Sequence, residues 1–63
     1  MTPLTARERE VLLAVARHDS HQDAADELGI SKQTIRNTLV NVHTKLGVKS
    51  TIRALWLVLE DAA

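Results

Sequence analysis

An all-α fold, four helices in one small domain, follows from three features of the chain. Apolar residues recur at helical spacing with no strand-like alternation. The only proline is Pro3, ahead of every such segment. Hydroxyl residues and two glycines punctuate the chain where helices should start and stop. At 63 residues a chain buries only about 60% of the surface its unfolded form exposes, so stability rests on a thin core. No cysteine is present, so neither a disulfide nor a thiolate metal site supplements that core.

The first helix is expected from about Ala6 to Arg17. Thr5 followed by Glu8 forms a capping box, in which hydroxyl and carboxylate satisfy orphan amides reciprocally, and Val11, Leu12 and Val15 form the inward stripe. Ser20 with Asp23 is a second, weaker box that opens a short helix to Leu28 through Ala24 and Ala25. Gly29 supplies the left-handed residue that ends it, Ile30 plugs the core and Ser31 caps the third helix. That helix, residues 32–46, carries the stripe Ile35, Leu39, Val42 and Leu46 and stops at Gly47. Val48 packs down, and Ser50 caps a fourth helix reaching about Asp61. Its buried side is expected to hold Ile52, Leu55, Val58 and Leu59, with Leu57 pointing outward and Trp56 at the boundary. Leu13 is expected opposite the buried face of the first helix. The connections are too short for a linker, a second domain or internal repeats, so residues 1–63 read as a single domain.

The formal net charge is zero, but it is unevenly spread. Residues 1–31 hold three cations against six carboxylates, and residues 32–63 hold five cations against two. Binding responds to local potential more than to the total. The stretch from Ile30 to Ser50 has no carboxylate at all, and a helix kept free of negative charge suits a polyphosphate partner. The single aromatic, Trp56, argues against the stacking platforms of single-strand binders. The longest apolar runs, such as Ala54 to Leu59, are far short of the ~18 residues of a membrane span. Charge at Arg7 to Glu10 stands where a signal peptide would be apolar. Together with the lack of cysteine this fits a cytoplasmic setting.

A short helix, a glycine turn and a longer polar-faced helix make a helix-turn-helix, whose second helix is sized for the DNA major groove. Ala24 and Ala25 let the two helices cross closely. The third helix turns Gln33, Arg36, Asn37 and Val40 away from its apolar stripe. Arginine can give two hydrogen bonds to guanine, asparagine or glutamine can pair with adenine, and valine can touch a thymine methyl. Ser31, Lys32, Thr34, Thr38, Asn41 and Lys45 flank that face with groups that hold phosphates, and Lys49 and Arg53 can reach the backbone from the next turn. Amides at the start of the third helix add a dipole-favoured phosphate site. The ordinary alternative for such a face is solvation, and for the Ser31 hydroxyl it is capping.

The segments "LTAREREVL" (Leu4 to Leu12), "LGIS" (Leu28 to Ser31), "TIR" (Thr34 to Arg36) and "KLGVKS" (Lys45 to Ser50) resemble the LuxR-type, GerE-like DNA-binding domain over essentially the whole chain. That resemblance implies a bacterial transcription-regulator domain that binds double-stranded DNA. It also implies a domain commonly at the C-terminus of a longer chain and commonly dimeric on DNA through its fourth helix, which singles out Trp56 and Leu57 as the pairing surface. Several positions depart from the family pattern: His18, His21, Ala24, Thr38, Val40 and Thr51. Region four of bacterial sigma factors shares part of the same text and implies RNA polymerase as a second partner, but lacks the "KLGVKS" connection. A module of the same fold that sequesters proteins is a third class. His18 and His21 have H-x-x-H spacing without a third ligand, so no metal is expected, and His43 reads as a surface group flanking the third helix. No nucleophile, base and oxyanion hole assemble, so neither an enzyme nor a cofactor is expected.

Overall fold

The computed structural model describes residues 3–62. Four helices follow one another: α1 (Ala6–Arg17), α2 (His21–Leu28), α3 (Lys32–Leu46) and α4 (Thr51–Ala62). Each start is explained by the residue before it. At α1 the full capping box is present: Thr5 Oγ1 accepts from Glu8 N at 3.1 Å and Glu8 Oε1 accepts from Thr5 N at 2.8 Å. Ser20, Ser31 and Ser50 accept from the amides of Asp23, Thr34 and Arg53, each at 3.1 Å. At Ser20 this hydroxyl-to-amide bond is the half of the expected box that forms among the described residues.

The ends of α2 and α3 are the same device used twice. Gly29 and Gly47 both have φ of 68°, a conformation that costs an L side chain about 1–2 kcal/mol. Ile30 N donates to Ala25 O and Val48 N to His43 O, each at 3.0 Å. These bonds satisfy carbonyls that the helix leaves open and turn the chain inward. Ile30 and Val48 accordingly pack half-buried against the core.

Helices α1 and α3 each touch all three others, and α2 and α4 do not touch each other. The core therefore lies between α1 and α3, with α2 closing one side and α4 the other. Val11 and Leu12 of α1 meet Ile35, Leu39 and Val42 of α3 in a fully buried cluster that Ala24, Ala25, Ala54 and Val58 complete. Alanines at 24 and 25 bring α2 close to its neighbours because there is little side chain to separate the backbones.

Two expectations about packing need correction. On α1, Ala14 is fully buried while Val15 is half-buried against the core. On α4, the buried side is Ala54 and Val58, with Leu55 half-buried. Ile52 is 73% exposed and Leu59 49% exposed, whereas both were expected inside. Leu57, expected to point outward, is half-buried, and Trp56 is 60% exposed. The physical reason is that α4 is apolar on nearly every side from Ala54 to Leu59. Its own periodicity cannot choose a face, and the narrow groove left by α1 and α3 takes the smaller side chains.

Candidate nucleic-acid interface

Helix α3 is anchored by Ile35, Leu39 and Val42 and leaves a long polar face in solvent. Lys32, Gln33, Thr34, Arg36, Asn37, Val40 and Asn41 are all exposed, and so are Thr44 and Lys45. Thr38 and His43 are half-buried at the edges of that face. Gln33 Nε2 donates to Asn37 Oδ1 at 2.9 Å, which aligns two amide side chains one turn apart. Val40 is 61% exposed, a high value for an apolar side chain on a helix with a well-packed opposite side. Thr44 lies one turn beyond Val40 on the same face and donates its hydroxyl to the Val40 carbonyl at 2.9 Å. Thr44 is not among the residues expected from the sequence, although its i, i+4 relation to Val40 and its i, i+7 relation to Asn37 place it on the same face.

The start of α3 is ordered by Ser31, whose Oγ accepts from Thr34 N and also bonds Thr34 Oγ1 at 2.9 Å. Both hydroxyls are exposed but partly committed to the cap. At the other end, His43 Nε2 lies 3.3 Å from Thr51 Oγ1 and ties the end of α3 to the start of α4.

The cations divide into two groups. On the α1 and α2 side Arg7 pairs with Glu10 and Arg17 with Glu27, the His18 imidazole Nε2 also lies 2.7 Å from Glu27 Oε1, and Arg9 has no side-chain partner among the described residues. The bond from Arg17 and then that from His18 hold the Glu27 carboxyl below its ordinary value. Around α3 and the start of α4, Lys32, Arg36, Lys49 and Arg53 have no hydrogen-bond or ion-pair partner for their side chains among the described residues. Lys45 is the exception. Its Nζ lies 2.7 Å from Glu8 Oε1, so this cation, expected on a phosphate, is turned toward α1. The Lys45 ammonium and then the Thr5 amide push the Glu8 carboxyl below its ordinary value.

On α4 the exposed apolar residues Ile52, Trp56 and Leu59 follow i, i+4, i+7 spacing and share one stripe. Of the two residues expected on a pairing surface, Trp56 is 60% exposed and Leu57 is half-buried. His18 and His21 gather no group of three or more metal-ligating side chains among the described residues. No cavity of ligand size occurs there, and no helix is long and apolar enough to cross a membrane.

Comparison with known proteins assigns the family. Residues 2–58 match the family described as "Bacterial regulatory proteins, luxR family". The chain is 42% identical over 52 residues to the spore germination protein GerE of Bacillus subtilis, covering 82% of this chain and 70% of that protein. It is 43% identical over 54 residues to the probable transcriptional regulatory protein SgaR of Hyphomicrobium methylovorum, covering 86% of this chain and 26% of that protein. It is also 43% identical over 53 residues to the transcriptional regulatory protein DesR of Bacillus subtilis, covering 84% and 27%. The chain thus spans most of GerE but about a quarter of the longer regulators. No solved structure matches it. With a family match across nearly its whole length and helices placed as a helix-turn-helix requires, the chain belongs to the LuxR family of bacterial regulatory proteins, as a DNA-binding domain of the GerE type.

Proposed function

We propose that this domain regulates transcription by binding double-stranded DNA sequence-specifically, with α3 in the major groove and two copies pairing on DNA through α4. The observation that carries the reading is the contrast in charge pairing. On the α1 and α2 side Arg7 and Arg17 are neutralised within the protein, whereas among the described residues Lys32, Arg36, Lys49 and Arg53 are all left unpaired around a helix face without a carboxylate. Unpaired cations on one face are the electrostatic footprint of a phosphate partner. A helix about 10–12 Å across fits a groove about 12 Å wide.

In this reading Gln33, Arg36, Asn37 and Val40 face the base edges. Ser31, Lys32, Thr34, Thr38, Asn41, Lys49 and Arg53 hold the phosphates, and Thr44 adds a hydroxyl to the far end of the base-facing set. Lys45 drops out of the phosphate set because Glu8 holds it. The small number of free cations leaves a single half-site weak, and pairing supplies the missing affinity through effective concentration. The exposed stripe Ile52, Trp56 and Leu59 suits a second copy of the chain, tryptophan being among the residues that dominate such contacts. The names of relatives such as DesR, a transcriptional regulatory protein, and SgaR, a probable one, agree with this role.

Selection from random duplex DNA tests it. Recovery of a recurring motif in two half-sites, with affinity that falls steeply as salt rises, is the expected outcome. Recovery of no motif, with weak binding that is the same for all sequences, would overturn sequence-specific regulation.

A further inference from the structure

Between the start of α1 and the last turn of α3 lies one polar contact that the groove-facing residues do not use. Glu8 is 9% exposed, the one charged side chain in the buried set of the described residues. Its Oε1 accepts from Thr5 N at 2.8 Å and from Lys45 Nζ at 2.7 Å, joining positions 37 apart in the chain. The apolar contacts that hold α3 through Ile35, Leu39 and Val42 are non-directional. A charge-assisted hydrogen bond has both a length and a direction. Glu8 is itself immobilised by the capping box, so it offers Lys45 a fixed point.

Rotation of α3 about its own axis decides which of Gln33, Arg36 and Asn37 points along the groove normal, and recognition tolerates errors of only about 10–20°. Handing Lys45 to a phosphate would strand a buried carboxylate without its cation, a change that costs more than an exposed ion pair returns. We propose that Glu8 is a positioning residue for DNA recognition, setting the roll of α3 through Lys45, which stays on Glu8 when DNA is bound. This rests on the DNA-binding reading above.

Two variants separate the roles. Glu8→Gln keeps a side chain that can close the capping box but removes the charge that holds Lys45. Lys45→Met keeps the stem and removes the ammonium. Circular dichroism establishes that each is folded, amide chemical shifts of the free proteins report the placement of α3, and salt titrations on the preferred and an unrelated duplex report binding. Both variants should shift the amides of Arg36 and Asn37. Both should lower the ratio of specific to non-specific affinity by about tenfold, the scale of one misplaced base contact. Lys45→Met should keep the wild-type salt slope, and the double variant should be no worse than either single one. A slope flattened by about one unit in Lys45→Met with an unchanged ratio would make Lys45 a phosphate contact and overturn the proposal. Unmoved α3 amides in both variants would overturn it as well. Failure of the wild type to bind any duplex would instead overturn the DNA reading, while the amide shifts would still report whether Glu8 sets the roll of α3.

Discussion

Gln33 Nε2 donates to Asn37 Oδ1 at 2.9 Å, so two amide side chains on the solvent face of α3 hold each other one turn apart. Among the described residues the Gln33 carbonyl and the Asn37 amide group have no other partner, and they are the acceptor and donor that an adenine edge requires. Arg36, beside them, has no partner of its own among the described residues.

Arg36→Ala should therefore cost about 1–3 kcal/mol on the preferred duplex and relax preference at one base position. The fold should be unchanged, because Arg36 is exposed and Ile35 carries the packing. Competition titrations against single-base variants of the site measure this. Equal loss on specific and unrelated duplexes would reassign Arg36 to a phosphate.

Lys32 stands at the start of α3, and in the proposed complex its ammonium and the open helix amides serve one phosphate. Lys32→Ala should weaken binding to all sequences alike and flatten the plot of log affinity against log salt by about 0.9. A slope that does not move removes Lys32 from the phosphate set.

Pairing on DNA should depend on the exposed α4 stripe. Trp56→Glu and Ile52→Glu should each leave the monomer folded, since both residues are more than half exposed. Each should abolish cooperative occupation of a duplex with two half-sites while sparing one half-site. Leu57→Glu should behave differently and lower stability, because Leu57 is half-buried. Gel-shift titrations on one-site and two-site duplexes, with melting curves, decide between them. Undiminished cooperativity in Trp56→Glu would rule the stripe out.

Gly47 adopts a left-handed conformation, and a Cβ there would meet nothing within 4 Å. Gly47→Ala should thus cost only the conformational penalty, about 1–2 kcal/mol. That lowers the melting temperature by about 4–8 °C per kcal/mol in a domain of this size. Gly47→Asn should cost less, because asparagine tolerates this region better. A melting temperature unchanged by Gly47→Ala would show that the turn relaxes.

Acid should loosen the fold through Glu8 and Glu27. Both carboxyls are held below their ordinary value of 4.5, Glu8 first by the Lys45 ammonium and Glu27 first by the Arg17 guanidinium. A carboxyl with a lower pKa in the folded chain binds fewer protons there than in the unfolded chain, so its contribution is fully present above about 4.5 and is lost as pH falls through the folded value. Melting temperature should be level with respect to these groups above about pH 5.5 and should drop below about pH 4.5. The drop should be shallower in Glu8→Gln and in Glu27→Gln. Melting curves between pH 3 and 7, approximately the window that spans both states, test this.

The sequence by itself determined where each helix begins and ends, because those signals are local. Thr5 with Glu8, Ser31 and Ser50 each act on an amide three residues away, and Gly29 and Gly47 act through their own φ. It likewise determined which side of α3 packs, since Ile35, Leu39 and Val42 stand out against polar neighbours. Tertiary structure decided what local spacing leaves degenerate. On α4, apolar nearly all round, only the shape of the groove between α1 and α3 could select Ala54 and Val58 and leave Ile52, Trp56 and Leu59 outside. The fate of Lys45 was equally hidden: on its own helix it looks like any basic residue near a groove, and its partner Glu8 sits 37 positions earlier in a capping box that already explains it. A charge finds its partner through the fold, and only when α1 and α3 are packed do these two come within 2.7 Å.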